Sequence, residues 1–418
     1  MVRFNIYKEE KREIHQVYSL NNGLRIIYCP NNSKVTYCGY AINAGTRDEN
    51  TNEAGIAHFV EHLIFKGTKK RKAIQILNRL SNVGGDIDAY TNKEDTTVYA
   101  TVLNEYFDKA LELLSDIVFH SIFPAAEIKK ETEVILDEIQ SYEDTPTELI
   151  YDEFENIIFK GHPLGYNILG NTESIRRFGT AEALSFVQRY YQPDNMILFV
   201  SGNQDLKKII QLAQKYTPDI PSCNTNVQRT APTEYHPEHI EIDRGTHQTH
   251  VIIGCPGYKA YHPKSASLYL INNILGGAGM NNRLNLSLRE RSGLVYTVES
   301  SLTGYTDTGE FCIYFGSDPE DTNRCIRLIN RELKKLREKK LSPLQLSVAK
   351  QQLIGQLIIA SENDENNALD IAKTFLHFDR YDTLYEACRR IDALTAEELI
   401  NVANENLAES NLTTLIFK

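Results

Sequence analysis

Residues 53–68 read EAGIAHFVEHLIFKGT. Placed on a helix, Ile56, Phe59, Val60, Leu63 and Ile64 follow the i, i+3, i+4, i+7, i+8 spacing and form one apolar face. His58, Glu61, His62 and Phe65 fall on a neighbouring face, and Gly67 is a plausible stop. His58 and His62 are one turn apart, so both imidazoles can reach one metal ion. Glu61 lies between them, placed to take a proton from a water that such a metal activates. The order H-x-x-E-H is the reverse of H-E-x-x-H. Two imidazoles with a carboxylate and an open fourth position favour zinc. The bland alternative is a helix with two solvated histidines.

A third ligand is expected further along. Residues 131–146 read ETEVILDEIQSYEDTP. Glu131 and Glu138 are two helical turns apart and share a face beside an apolar stripe. Taken alone, this stretch also reads as an acidic surface helix.

Working outward, the chain alternates strands and helices. Residues 24–29 and 35–45 read as strands, 73–83 as a helix, and 87–91 with 96–103 as a strand pair. Two long amphipathic helices follow at 106–121 and 126–142, then a strand at 195–202 and a helix at 204–217. Residues 218–237 carry four prolines and no periodicity, which marks a linker. After it the pattern restarts: strands at 240–244 and 250–257, then a helix at 265–277. The last residues, NLTTLIFK (411–418), echo NMILFV (195–200). The expected architecture is α+β: two homologous α/β domains, each a mostly antiparallel sheet packed with long helices. The expected boundaries are 1–217, a linker at 218–235, and 236–418.

The composition of the 418 residues is that of an ordinary globular protein, 41% hydrophobic and 24% charged. A formal net charge of −11 argues against nucleic-acid binding, which needs a basic patch. Seven scattered cysteines without a C-x-x-C speak for reduced thiols of a cytoplasmic protein rather than a disulfide framework. No apolar run suggests a membrane span or a signal segment.

These features resemble the pitrilysin-type inverzincin zinc peptidases, close to the mitochondrial-processing-peptidase-like bacterial branch. The likeness extends over nearly the whole chain, through NAGTRDE (43–49), GGDIDAYTNKEDTTVY (84–99), HPLGYNILG (162–170) and YYQPDNMILFVSGN (190–203). It implies a third glutamate ligand about 76 residues after the second histidine, and Glu138 stands at that distance from His62. It therefore implies His58, His62 and Glu138 as ligands of one Zn2+ per chain, Glu61 as general base, and Glu131 as a supporting glutamate. It also implies an edge strand that holds an extended substrate, here Asp88-Ala89-Tyr90-Thr91. Many members have Asn where this chain has Asp88, so an acid there is expected to favour basic substrate residues nearby. In LRERSGLVY (288–296), Arg289 and Tyr296 match a substrate-binding pair, the tyrosine also helping to polarise the scissile carbonyl. The glycine-rich NILGGAGM (273–280) lacks the phosphate-loop pattern and reads as a turn.

The expected function is zinc-dependent endopeptidase action on unstructured peptides, inside a chamber that a homodimer closes. The competing expectation is a non-catalytic scaffold or partner subunit of the same fold.

Overall fold

The alternating, β-branched runs of the first half become strands. In this computed structural model, which describes residues 15–217 and 227–418, they form one sheet. It contains β1 (Gln16–Ser19), β2 (Arg25–Pro30), β3 (Val35–Ile42), β4 (Asp86–Thr91), β5 (Thr96–Leu103) and β6 (Met196–Gly202). Their order is β1-β2-β6-β3-β5-β4. The pair β2 and β6 is parallel and every other neighbouring pair is antiparallel. Central β6 is buried at every position, as its unbroken apolar run requires.

The second sheet contains β7 (His239–Ile242), β8 (Thr249–Gly257), β9 (Val295–Gly304), β10 (Gly309–Ser317) and β11 (Thr413–Phe417), in the order β7-β11-β8-β10-β9. Here β7 and β11 are parallel and the rest antiparallel. This repeats the order and sense of β2-β6-β3-β5-β4. The sequence echo between residues 195–200 and 411–418 is thus an echo between the equivalent strands β6 and β11. Two like α/β units, each on a mostly antiparallel sheet, are what the patterning predicts.

The expected domain boundaries need correction. The first unit takes the described parts of Met1–Gln140, Tyr166–Arg229 and Ser361–Thr383; the second takes Ser141–Gly165, Thr230–Ala360 and Leu384–Lys418. Each half of the chain lends a helix to the other unit. Helix Asp364–Phe378 lays Ala368, Ile371, Ala372 and Phe375 against Ile27, Ala41, Ile197 and Phe199 of the first sheet. Helix Pro146–Ile158 lays Leu149, Ile150, Phe154 and Ile158 against Ile252, Leu415 and Phe417 of the second. An apolar sheet face must be covered, and burial rewards whichever amphipathic helix reaches it, whatever its place in the chain. Of the expected linker, residues 218–226 lie outside the described residues, Cys223 among them; residues 227–235 have no regular structure.

The helix lent to the first unit also brings charge. Asp95, at the turn between β4 and β5, is buried. Its Oδ1 lies 3.4 Å from His377 Nε2 and 3.5 Å from Lys373 Nζ, and its Oδ2 accepts from Asn92 Nδ2 at 2.9 Å. Burial alone would raise this carboxyl, but His377, Lys373 and Asn92 outweigh it and hold it at about 2. The folded value is below the ordinary aspartate value of about 3.9. The stabilisation is therefore complete above pH ~4 and is lost as the pH falls towards about 2. Between those limits the urea midpoint of the wild type is expected to fall more steeply than that of Asp95→Asn. Parallel curves would show that Asp95 carries no such linkage.

On the other face of the first sheet, helix Phe107–His120 packs on β3 and β5, and Tyr40 Oη meets Ser115 Oγ at 2.8 Å. Among the described residues no helix is long and apolar enough to cross a membrane.

Candidate metal centre

The motif helix runs Ile56–Leu63, with Ile56, Phe59, Val60 and Leu63 fully buried. These are the positions the helical spacing assigns to the core. The Phe59 ring meets Phe178 at 5.3 Å, and the helix packs against β4 and against helix Thr180–Tyr190. Burial of this face turns His58, Glu61 and His62 towards helix Ala125–Glu143, which carries Glu131 and Glu138.

The start of the motif helix is fixed by two residues that motif reading passes over. Gly55 precedes it at φ +89°, where a side chain is strained. A Cβ there would meet Leu169 O at 2.7 Å and Gly170 Cα at 2.8 Å. Buried Glu49 accepts the backbone N–H of Gly55 at 2.8 Å and of Ala57 at 2.9 Å, satisfying donors that the helix start leaves open. Burial pushes the Glu49 carboxyl well up. Gly55→Ala is expected to destabilise the protein by more than ~1 kcal/mol, because both the backbone conformation and the backbone contact oppose a methyl group. Thermal unfolding with a matched Gly84→Ala control, where a Cβ meets nothing within 4 Å but φ is also positive, separates the contact from the strain.

His58, His62 and Glu138 converge, their donor atoms all within 4.8 Å of one another. Glu138 Oε2 lies 3.5 Å from His62 Nε2 and 3.8 Å from His58 Nε2. A tetrahedral ion with bonds of about 2.0–2.1 Å places its ligand atoms roughly 3.3 Å apart, so this spacing fits such an ion. The two imidazole rings are 4.5 Å apart, centre to centre. Burial, and then the neighbouring His62, push the His58 imidazole down to about 3, which keeps it neutral as a ligand must be. Its Nδ1 is buried without a hydrogen-bond partner among the described residues. The residues present therefore fit a divalent ion of the zinc class.

Glu61 projects from the same helix beside this group. Burial pushes its carboxyl up to about 7, Thr91 and His62 pull against this, and Glu138 and Asp88 add to it. A bound dication would draw it back down. Glu131 is buried and is not in the converging set: its Oε1 lies 3.0 Å from His62 Nδ1, and its Oε2 lies 2.7 Å from Lys66 Nζ. It contacts His62 from outside that set. Lys66 was not singled out by sequence, because a lysine after a helix usually faces water.

Asp88, Ala89 and Tyr90 lie on β4, which ends the first sheet, so one side of its backbone faces no strand among the described residues. Asp88 is exposed and its Oδ1 accepts the Ala89 N–H at 2.8 Å. Arg289 and Tyr296 belong to the second unit: Arg289 is exposed in the short helical segment Asn285–Glu290, and Tyr296, in β9, is 80% exposed.

Fold and site together define a class: a duplicated α/β chain with a candidate metal group in its first unit. The comparisons narrow it. Residues 25–172 match the family described as insulinase (peptidase family M16), and residues 178–353 match the peptidase M16 inactive domain. The chain is similar to the uncharacterized zinc protease YmxG of Bacillus subtilis, at 32% identity over 96% of this chain and 97% of that one. It is similar to an uncharacterized zinc protease of Rickettsia felis, at 33% identity over 97% and 98%. Its fold resembles a protease from Helicobacter pylori, with a TM-score of 0.91, 23% identity, and 97% and 100% of the two chains covered. The chain belongs to the insulinase family, peptidase family M16. The second matched domain is of the inactive type, and H-x-x-E-H occurs in the first half alone.

Proposed function

We propose that this protein is a zinc-dependent endopeptidase that hydrolyses unstructured peptides. The observation that carries the reading is the convergence of His58, His62 and Glu138 with Glu61 beside them. The zinc-protease names of its relatives support the choice of metal. His58, His62 and Glu138 would hold one zinc per chain. Bound there, zinc would supply Lewis acidity, lowering the pKa of a water to about 7 and polarising a peptide carbonyl.

The remaining work falls to the chain. Glu61 takes the proton from the attacking water and returns it to the leaving amine. Glu131 fixes the ring of His62. The free edge of β4 at Asp88, Ala89 and Tyr90 offers backbone donors and acceptors to an extended peptide, which a folded substrate cannot match. Arg289 holds substrate backbone, and Tyr296 donates to the developing oxyanion. A homodimer encloses the substrate, and the protein works in the cytoplasm.

The test is cleavage of a quenched, unstructured peptide and of a folded protein, before and after a zinc chelator. Cleavage of the peptide alone, lost with zinc and restored by it, is the expected result. Purified protein that holds no zinc would replace the endopeptidase with a scaffold of the same fold.

A further inference from the structure

We infer that Lys66 is a positioning residue for the metal centre, acting through Glu131 on His62. The inference rests on the reading that His58, His62 and Glu138 hold zinc. Lys66 sits in the turn that follows the motif helix, its backbone N–H donating to Leu63 O at 3.0 Å. His62 stands four residues earlier, on the last turn of that helix. From this one segment the two side chains bracket a carboxylate that arrives from helix Ala125–Glu143. Glu131 Oε1 faces His62 Nδ1 at 3.0 Å, and Glu131 Oε2 faces Lys66 Nζ at 2.7 Å.

Such a bracket matters because the terminal torsion of a glutamate is soft. Held at one oxygen only, the carboxylate can turn and leave Nδ1. Held at both, it keeps the Nδ1–H of His62 engaged, and the ring then presents Nε2 to Glu138, 3.5 Å away. An ion pair on an open surface would do little. Here the Glu131 side chain is 10% exposed and that of Lys66 29%, so water competes weakly for the carboxylate.

Zinc affinity is measured by competition with a chelating dye for wild type, Lys66→Met, Lys66→Gln, Lys66→Arg, Glu131→Gln and the Lys66→Met/Glu131→Gln double variant. The metal-free proteins are unfolded thermally alongside. Lys66→Met and Lys66→Gln are expected to weaken zinc binding about 10-fold, within the 10–100-fold usual for groups that orient a metal ligand. Lys66→Arg is expected to restore most of it. In the Glu131→Gln background Lys66→Met should add nothing, since its route is already cut. The nitrogen NMR signals of His62 in the metal-free protein should shift in Lys66→Met, while its melting temperature stays within a degree or two. Wild-type affinity in both lysine variants would overturn the inference. So would a full further loss in the double variant, which would mean that Lys66 acts by some route other than Glu131. A wild type that binds no zinc would sink the metal reading itself, and the inference with it.

Discussion

Glu61→Gln is expected to cut peptide turnover by about 10²–10⁴ while the bound zinc stays in place. Glutamine matches glutamate in size but cannot accept a proton, so the change removes the acid–base step and little else. Glu61 is not among the three converging donors, so the metal has no reason to leave. The loss should appear in kcat, with KM nearly unchanged, because proton transfer belongs to the transition state rather than to binding. Metal content and turnover are read on the same preparation. Turnover that survives would deny Glu61 the role of base. Zinc lost together with turnover would make Glu61 part of the metal cage.

Phe375→Ala is expected to destabilise the first unit by about 3–5 kcal/mol. Phe375 is 5% exposed and lies in the cluster with Ile27, Ala41, Ile197 and Phe199, and the Arg25 guanidinium sits 5.6 Å from its ring centre. Truncation would leave a hole in the cluster that packs against the sheet. Leu344→Ala, at a position 74% exposed, should change stability by less than ~0.5 kcal/mol and serves as the control. Urea unfolding followed by amide exchange in β2 and β6 reads the effect where it arises. A loss below ~1 kcal/mol would mean that the lent helix decorates the sheet rather than completing it. By the same reasoning, a fragment ending at residue 217 should expose the face of Ile27, Ala41, Ile197 and Phe199, bind apolar dyes and aggregate.

The strands were legible because alternation and apolar runs report burial directly, and the motif helix because its core face repeats at helical spacing. The duplication was legible at one point, in the resemblance between β6 and β11, and the sheet orders extend it to five strands. The exchange of helices was not legible. The periodicity of residues 364–378 says that one face of a helix is apolar; it does not say which of two similar sheets that face will cover. Glu138 shares a face with Glu131 on any helical reading, so geometry alone left both as candidates and the family spacing chose between them. Glu49 escaped notice for another reason: it caps a helix from six and eight residues upstream, outside the spacing of ordinary caps.

The exchange has a consequence during synthesis. The strands of the first sheet are all made once Gly202 has left the ribosome, but the helix that covers them ends at Phe378. At 5–20 residues per second, the nascent chain carries that uncovered apolar face for on the order of 10–35 s. A chaperone that shields nascent chains would have its longest task here, and a stalled ribosome anywhere between those two points would present the cell with a finished sheet and no lid for it.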